Sequence, residues 1–387
     1  MIALTAATLF TPLERIEQPL LLVEDDLILE VASRARRELP QNCRVLDFGS
    51  DILAPGFIDI HIHGGAGHDV MEPGTDPLPA VERLLAKHGV SGYFPTTVTA
   101  PLDATLSALA RLADSIEAAD RGPDSTELRA QALGIHLEGP FISHKRRGVH
   151  PPENLLVPSL SSLDRFWQAA RGHIRMMTIA PELPGAMEVI AAAASRGICV
   201  SLGHSDADLG ATRNAVSAGA RHATHTFNAM RPLDHRDPGI LGEVLTDSRL
   251  SADIIADGIH LDPAVVDLFL KAKGPESSVL ITDATAATGM PDGRYRLGSL
   301  EVEVKEGRCV AAGKLAGSIL TMDRAVRNVM QFAQLDLQQA LRLATLNPAR
   351  TALLNRGGSL KPGGPANILV LSPTGEVRNT MIRGAGI

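Results

Sequence analysis

Cysteine is scarce in this sequence, which has only Cys43, Cys199 and Cys309 among its 387 residues. An odd number of widely separated cysteines argues against a disulfide framework and fits a reducing compartment. Signals for secretion or membrane insertion are also missing. The stretch Met1–Leu13 has neither a basic start nor an adequate apolar segment, and no run of about 18 apolar residues occurs. We therefore expect a cytoplasmic protein that does not enter a membrane.

The sequence also has no excess of positive charge. The formal net charge is −7 and the pI is near 6.0, without the basic patch that nucleic-acid-binding proteins carry. No internal repeat or low-complexity tract is evident. The length exceeds that of a typical single domain but fits one barrel of strands and helices with a small appendage. Nucleic acid is therefore not an expected partner.

The segment from Gly56 to His63 reads GFIDIHIH and is the clearest functional pattern in the chain. Successive side chains of a strand alternate between its faces, so His61 and His63 should point the same way. Gly64 and Gly65 follow, where the backbone can turn. Two imidazoles placed in this way can bind one divalent ion, although a pair of structural histidines would give the same pattern.

Short apolar segments alternate with helical periodicity along the middle of the chain. The predicted strands are Ile58–His63, Gly92–Thr99, Gln131–Glu138, Ile174–Ala180, Gly197–His204, His222–Phe227, Leu250–Asp257 and Val279–Asp283. The predicted helices between them are Leu78–His88, Asp103–Ala119, Ser161–Ala170, Gly185–Arg196, Asp208–Ala218 and Pro263–Lys273. Eight strands alternating with helices predict an α/β fold, a TIM-type (β/α)8 barrel.

The two ends of the chain show a different pattern. Strand-like pieces at Leu20–Val31 and Cys43–Leu53 have no helix between them, and the tail after Gly357 carries turn signals and a strand at Asn367–Leu371. The simplest assembly brings both ends together. We expect residues 1–53 and 356–387 to form one small β-sandwich-like domain beside a barrel of residues 54–355.

The last third of the barrel region contains an insertion. Residues Tyr295–Val310 predict a β-hairpin near 295–310, because Leu300-Glu-Val-Glu-Val alternates in polarity and Glu306-Gly307 can form the turn. Helices are predicted after it at Thr321–Phe332 and Asp336–Leu346. The hairpin would follow the eighth strand.

Polar residues stand at the ends of five predicted strands, and the carboxyl ends of barrel strands all lie at one face. They are His61, His63, Glu138, His204, His225 and Asp283. Each one alone could cap a turn or satisfy a buried hydrogen bond. Together they favour a catalytic metal site with a position open to water. His136 shares the parity of Glu138 and should face inward, as a supporting or substrate-facing residue.

Longer motifs in the chain resemble those of the N-acetylglucosamine-6-phosphate deacetylases of the amidohydrolase superfamily. They are HxH after GFID, GIHLEGPF with RRGVHPPEN just beyond, LGHSDA, ATHTFNAM, ADGIH, ITDAT and Leu315-Ala-Gly-Ser318. The similarity extends from about Leu53 to Asn355. HxH alone would indicate only the superfamily, whereas LEGPF, THTFNAM and the DGIH run are far more specific.

The resemblance implies a role for each matching residue. Glu138, His204 and His225 would hold the principal metal ion, and Asp283 would act as general base and then as general acid. The implied metal is zinc, with iron, manganese or cobalt as alternatives, and the pair His61 and His63 would allow a second ion. The positions that match sugar-phosphate contacts are Val149, Asn228, Ala229, Arg236, Asp257, Gly258, Ile259, His260, Leu315, Ala316 and Gly317.

Phosphate recognition is expected in the segment Arg231–Asp237, which supplies Arg231, His235 and Arg236. An arginine fork suits a phosphate dianion, although a solvated charged loop is the alternative. The resemblance also implies a homodimer in which such a loop completes the neighbouring site.

The implied reaction is hydrolysis of the acetamide of N-acetyl-D-glucosamine 6-phosphate to D-glucosamine 6-phosphate and acetate, in amino-sugar catabolism or cell-wall recycling. The main alternative is another metal-dependent amidohydrolase, of the dihydroorotase, hydantoinase or D-aminoacylase type. Those enzymes often use a carboxylated lysine as a bridging ligand, whereas the third strand here ends in Glu138. A non-catalytic scaffold and an amino-sugar transport protein are less favoured, because every expected ligand is present and no signal peptide is seen.

Overall fold

The structure is a computed structural model that describes residues 1–73, 77–120 and 127–387. Its centre is a curled sheet of parallel strands, numbered β1–β8 in chain order. They are β1 Phe57–Ile62, β2 Val90–Thr97, β3 Ile135–Glu138, β4 Ile174–Ile179, β5 Cys199–Leu202, β6 His222–Ala223, β7 Ala252–Ile255 and β8 Ser278–Ile281. Strands β1 to β6 pair in sequence order, β7 pairs with β8, and the short strand Gln131–Ala132 pairs with β2.

Backbone hydrogen bonds continue this sheet across two further positions. The Thr226 N–H, after β6, donates to the carbonyl of Asp253 on β7 at 2.9 Å. The His63 N–H, after β1, donates to the carbonyl of Ala284, after β8, at 2.8 Å. The first and last strands are therefore neighbours. A curled parallel sheet of this kind, covered by helices, is consistent with a TIM-like barrel.

Helices cover the outside of the parallel sheet. They are Leu78–Lys87, Leu102–Asp120, Leu160–Ala169, Ala186–Ser195, Leu209–Ala218, Gly239–Thr246, Pro263–Lys273, Met322–Ala333, Leu337–Ala344 and Leu346–Thr351, with 3-10 turns at His144–Arg146 and Pro152–Asn154. The predicted helices between strands agree with these bounds to within about one residue. The helix Gly239–Thr246 was not predicted, because Pro238, Gly239 and Gly242 are typical of a loop.

Local sequence explains where these helices begin and which face they bury. The Asp208 carboxylate accepts the N–H of Ala211, and the Asp262 carboxylate accepts the N–H of Ala264 just after Pro263. Both are favourable N-terminal caps. In the helix Pro263–Lys273 the buried side chains are Val266, Phe269 and Leu270, whose spacing places one apolar face against the sheet.

Two further sheets lie at the ends of the chain: the N-terminal part forms one of them, and both ends share the other. A four-stranded sheet contains Leu27–Ser33, Pro19–Glu24, Ile2–Thr5 and Arg44–Asp47, and a six-stranded sheet contains Ala385–Gly386, Val377–Ile382, Ile368–Leu371, Ile52–Pro55, Thr8–Phe10 and Arg15–Glu17. Leu4, Leu21, Ile368 and Val370 from the two sheets lie in one buried cluster. The strand at Val377–Ile382 was not predicted.

The insertion after β8 is larger than the predicted hairpin. Its strands are Gly293–Leu297, Leu300–Lys305, Arg308–Ala311 and Lys314–Leu315, paired in that order and all antiparallel. The turn at Glu306-Gly307 is present as predicted. Leu297, Val302 and Val304 form a small core of their own, against which Val149 packs. The insertion therefore packs against the loop after β3.

Two other expectations can be compared with the structure. Cys43, Cys199 and Cys309 are all free cysteines, as the sequence predicts. In the part of the chain that the structure describes, none of the helices is long and apolar enough to cross a membrane.

Candidate metal centre and active site

The predicted strand-end residues do converge at the carboxyl ends of the parallel strands. His61 lies in β1 with His63 just after it, and Glu138 ends β3. His204, His225 and Asp283 follow β5, β6 and β8. All six side chains belong to buried residues, at most 7% exposed.

Three of these residues turn the chain sharply just after their strands. His204, His225 and Asp283 have φ angles of 47°, 30° and 51°, in the left-handed region that residues other than glycine rarely adopt. Such conformations cost about 1–3 kcal/mol each and are found at functional sites. At His225 the turn is supported by Asp253, whose carboxylate accepts the His225 backbone N–H and also contacts His222.

Two groups of side chains could hold a metal ion and are called ligand sets below, the first being Glu138, His204 and His225. Glu138 Oε1 lies 3.2 Å from His204 Nε2 and 3.0 Å from His225 Nε2. On the far side of each ring, His204 Nδ1 is 2.9 Å from the Arg146 carbonyl and His225 Nδ1 is 3.2 Å from the Asn228 carbonyl. A carbonyl only accepts, so Nδ1 carries the hydrogen on each neutral ring, and the two Nε2 atoms, 3.1 Å apart, turn their lone pairs towards one point beside Glu138 where a cation can bind.

The electrostatics of this set keep Glu138 ionised. Burial lowers the pKa of His204 to about 4. Burial also opposes charge on His225, but the hydrogen bond with Glu138 outweighs it and raises the pKa of His225 to about 9. Burial opposes the charge of Glu138 too, yet the surrounding histidines hold its pKa well below the usual range. Two imidazoles and a buried carboxylate with converging lone pairs fit a divalent ion.

The second ligand set is His61, His63 and Glu138. His63 Nε2 lies 3.3 Å from Glu138 Oε2, and its Nδ1 is 3.0 Å from the Thr96 carbonyl. His61 Nε2 is 3.5 Å from Glu138 Oε1, but its buried Nδ1 has no hydrogen-bond partner among the described residues. Glu138 thus contributes to both sets. In the second set only one of the two histidines, His63, is held by a hydrogen bond at Nδ1.

Asp283 lies beside the second set. Its Oδ1 is 3.1 Å from His63 Nε2 and 3.6 Å from His61 Nε2. Burial raises the pKa of this carboxyl, but the charge of His61 and the hydrogen bond of His63 outweigh it and hold the pKa at about 2. Asp283 is therefore a carboxylate at neutral pH and can accept a proton.

A cavity of about 100 Å³ opens above these ligands. It is lined by His63, Val98, Glu138, Gly148, Val149, His150, His204, His225, Asn228, Ala229, His260, Asp283, Leu297, Leu315, Ala316 and Gly317. Seven of the predicted substrate-contacting residues are in this lining, namely Val149, Asn228, Ala229, His260, Leu315, Ala316 and Gly317. The side-chain nitrogen of Asn228 is buried without a partner in the described chain, so it can donate to a bound molecule.

Asp257 supports the cavity rather than lining it. Its Oδ2 lies 2.7 Å from His260 Nδ1, and its Oδ1 accepts the backbone N–H groups of Ile259 and His260 at 2.8 Å each. His260 therefore presents Nε2 to the cavity. Gly258 has a φ of 75° and, like Ile259, is outside the lining.

Arg236 does not line the cavity of its own chain. It is exposed in the loop after β6, where its backbone N–H donates to Asp234 at 2.8 Å. Arg231 pairs with Asp237, and His235 lies 3.9 Å from Asp234. Arg236 has no ion-pair partner among the residues the structure describes, which leaves its guanidinium available.

His150 belongs to the site but was missed in the sequence. Its Nδ1 accepts the Thr99 backbone N–H at 3.3 Å and contacts the Thr99 hydroxyl at 2.8 Å. The opposite nitrogen, Nε2, carries the hydrogen and lies 3.6 Å from Glu138 Oε2. His150 stands in a loop without strand or helix periodicity, so its only signal was its place in the RRGVHPPEN motif.

His136 does not line the cavity, which favours the supporting role over the substrate-facing one. The residue is fully buried, with Nδ1 3.0 Å from the Ile60 carbonyl and Nε2 2.8 Å from the Thr178 hydroxyl. Burial holds the pKa of His136 well below its ordinary value. Its ring packs on that of His61, with centroids 4.6 Å apart, so it supports a ligand.

Comparison with known proteins is consistent with this site. The Amidohydrolase family model matches residues 52–386. The chain is 42% identical over 352 residues to the N-acetylglucosamine-6-phosphate deacetylase of Bos taurus, covering 87% of this chain and 84% of that protein. It is 40% identical over 342 residues to the N-acetylgalactosamine-6-phosphate deacetylase of Escherichia coli O157:H7, covering 88% and 89%.

A solved structure resembles the whole chain. It is a mutant of the N-acetyl-D-glucosamine-6-phosphate deacetylase of Mycobacterium smegmatis in complex with N-acetyl-D-glucosamine-6-phosphate. The TM-score is 0.92 at 35% identity, with 100% of this chain and 98% of the other covered. The chain belongs to the amidohydrolase family and, within it, to the N-acetylglucosamine-6-phosphate deacetylases.

Proposed function

We propose that this protein hydrolyses the acetamide of N-acetyl-D-glucosamine 6-phosphate to D-glucosamine 6-phosphate and acetate. The observation that carries the proposal is the pair of ligand sets sharing Glu138 under a cavity that also presents Asp283 and His260. Free cysteines support our placing of the reaction in the cytoplasm. Dihydroorotases and hydantoinases often use a carboxylated lysine as the ligand shared by two metal ions. Here the residue common to both ligand sets is Glu138, so those two activities are disfavoured.

Different residues of the chain would bind the metal ion and transfer the proton during amide hydrolysis. A divalent ion held by Glu138, His204 and His225 would polarise the acetyl oxygen and lower the pKa of the attacking water towards about 7. Zinc suits this donor set best, with iron, manganese and cobalt as alternatives. Asp283, ionised at neutral pH, accepts the proton of the water and returns it to the sugar nitrogen as the C–N bond breaks.

His260 and Asn228 have supporting roles in this proposal. His260, oriented by Asp257, directs Nε2 into the cavity and can donate to the developing oxyanion or to a sugar hydroxyl. Oxyanion donors contribute about 2.7–4 kcal/mol. Asn228 and the backbone around Ala229 and Gly317 would hold the sugar, whose position relative to Asp283 determines the rate.

The phosphate would be bound by Arg236 of a neighbouring subunit. This assignment is supported by the exposed position of Arg236 outside its own cavity and by the absence of an ion-pair partner for it among the described residues. It makes a homodimer the functional form. Arg231 is a weaker candidate, because Asp237 already neutralises it.

We also propose the architecture in which the site operates. The eight parallel strands and their helices would form a closed (β/α)8 barrel of residues 54–355, with the end sheets of residues 1–53 and 356–387 as one small β-sandwich domain. The hydrogen bonds between His63 and Ala284 and between Thr226 and Asp253 support closure.

N-acetylgalactosamine 6-phosphate is a second candidate substrate, because the chain is 40% identical to a relative named for its deacetylation. The decisive experiment therefore measures acetate release from both 6-phosphates and from unphosphorylated N-acetylglucosamine, together with metal content per subunit. We expect kcat/KM to be highest for N-acetylglucosamine 6-phosphate and to require bound metal. No acetate from either phosphate, with hydrolysis of a cyclic amide instead, would reject the proposal.

A further inference from the structure

A row of hydrogen-bonded side chains lies inside the parallel sheet, and the proposed mechanism does not use it. It runs from His136 on β3 through Thr178 on β4 and Thr224 after β6 to Ser201 on β5. All four residues are 0% exposed. Thr178 Oγ1 lies 2.8 Å from His136 Nε2 and 2.8 Å from Thr224 Oγ1, which in turn contacts Ser201 Oγ. We call Thr178, Thr224 and Ser201 the hydroxyl row.

The direction of the hydroxyl row is fixed at its His136 end. The Ile60 carbonyl, 3.0 Å from His136 Nδ1, can only accept, so Nδ1 carries the hydrogen. In the neutral ring Nε2 is then an acceptor, and the Thr178 hydroxyl donates to it. Thr178 must therefore accept from Thr224, and Thr224 must accept from Ser201. Each link depends on the next one.

The surrounding backbone is fitted closely to this row. A Cβ placed on Gly203 would lie 2.9 Å from Thr224 Cβ and 3.0 Å from Thr178 Cγ2. The chain after β5 approaches the hydroxyl row at a distance that only glycine permits. A larger residue at position 203 would therefore displace both threonines.

The His136 end of the row touches the second ligand set. The ring of His136 meets that of His61 at 71°, with centroids 4.6 Å apart, and the carbonyl to which it donates belongs to Ile60, the residue before His61. The other imidazole ligands each rest on a carbonyl through Nδ1. His61 has no such partner among the described residues, and the ring of His136 is nearer to it than those of His63 and His225, at 5.1 and 5.6 Å between centroids.

We propose that the hydroxyl row is a positioning device for the second ion: it fixes His136, His136 fixes the ring of His61, and the row thereby sets the affinity of the His61, His63 and Glu138 subsite. The inference rests on the proposed function in so far as the protein binds metal. The first set has its own carbonyl supports and does not depend on the row.

The test is a titration of metal-free protein with Zn²⁺, recording ions bound per subunit for wild type and Thr178→Val. The substitution removes the central hydroxyl at nearly constant shape and leaves His136 Nε2 without its donor. We expect the first equivalent to bind as in wild type and the second to bind about 10-fold or more weakly, the usual effect of losing a residue that orients a ligand.

Two variants control for a purely structural effect. Thr97→Val removes a buried threonine hydroxyl on β2 that has no partner in the described chain, and should leave both equivalents unchanged. Thr178→Ser keeps the hydroxyl and should restore the second equivalent. If Thr178→Val folds poorly, Thr224→Val breaks the row one link further away and should weaken the same equivalent to a smaller degree.

The outcomes separate this inference from the proposed function. A second equivalent unaffected by Thr178→Val and Thr224→Val, a loss of both equivalents together, or a wild type that takes only one ion at saturation would overturn the role of the row while deacetylation stood. A wild type that takes two ions, loses the second on mutation and releases no acetate would overturn the proposed activity alone.

Discussion

At the scale of single residues, a substitution of Asp283 tests proton transfer separately from metal binding. Asp283→Asn keeps the size of the side chain but removes the proton acceptor, so kcat should fall by about 10²–10⁴-fold. Bound metal per subunit should stay at the wild-type level. Asp103→Asn, whose parent side chain is 98% exposed, is the matched control. A kcat within a few fold of wild type would exclude Asp283 as the base.

The two ligand sets should also differ in their affinity for metal. His225 is held by the Asn228 carbonyl, whereas the Nδ1 of His61 has no partner in the described chain. We expect His225→Asn to lose tight metal binding and activity together. His61→Asn should lose only the weaker equivalent and retain measurable turnover. Equal losses in both variants would instead indicate a binuclear site in which neither ion suffices alone.

Residue identity was sufficient to predict which side chains converge at the strand ends but not every residue that lines the cavity. His61, His63 and Glu138 could be predicted because parallel strands all end at one face. His150 could not, because it reaches Glu138 from a loop and its contact with Thr99 spans 51 positions. Contacts between loops distant in sequence leave no periodic pattern.

At the scale of elements, several predicted strands extend past their observed ends at the site, although the strand ending at Glu138 was predicted to end there. The predictions Gly197–His204, His222–Phe227 and Val279–Asp283 all include residues that the structure places after the strand. Thr226 and Phe227 are of types enriched in strands, so local propensity predicts extension, whereas His225 and Phe227 have φ angles of 30° and 78°. Tertiary interactions around the site override that local preference.

A buried carboxylate adds hydrogen bonds to the contact between β1 and β8. Asp59 Oδ1 accepts the backbone N–H groups of His61 and Thr282 at 3.3 Å each, and Oδ2 accepts the Thr282 hydroxyl. Asp59→Ala would leave these donors unsatisfied and should lower the free energy of unfolding by about 2 kcal/mol or more. Urea unfolding of the metal-free protein measures this. An unchanged midpoint would show that Asp59 does not hold the two strands together.

The same carboxylate should give stability a characteristic pH dependence. Burial raises the pKa of Asp59 from 3.8 to about 6, so between these values the folded chain holds a proton that the unfolded chain has released. Its contribution to stability is present below about pH 4 and falls by up to about 3 kcal/mol as pH rises through 6. Asp59→Asn does not titrate, so its stability relative to wild type should improve over that range. A constant difference between about pH 4 and pH 7 would contradict the shift.

At the scale of the whole molecule, the proposed role of Arg236 in phosphate binding can be tested by comparing substrates with and without the phosphate. Arg236→Ala should remove a charge-assisted contact of about 1.5–3 kcal/mol and lower kcat/KM for N-acetylglucosamine 6-phosphate by roughly 10–100-fold. Unphosphorylated N-acetylglucosamine should be almost unaffected, since it lacks the group that Arg236 binds. Arg231→Ala, whose guanidinium is paired with Asp237, is the matched control. An equal loss on both substrates would mean that Arg236 supports the loop instead.

A mixture of two impaired variants tests whether Arg236 acts between subunits. In a hybrid dimer of Asp283→Asn and Arg236→Ala, the site of the Arg236→Ala subunit retains its own Asp283 and receives Arg236 from its partner. If the arginine acts across the interface, this one site is intact, and unfolding and refolding the two variants together should recover up to about a quarter of wild-type activity per subunit. This follows because random pairing makes half of the dimers hybrid, each with one working site. If Arg236 acts within its own chain, every site lacks one residue and the mixture stays no more active than its components. The measurement needs no knowledge of the interface itself, because recovery depends only on which chain supplies the arginine.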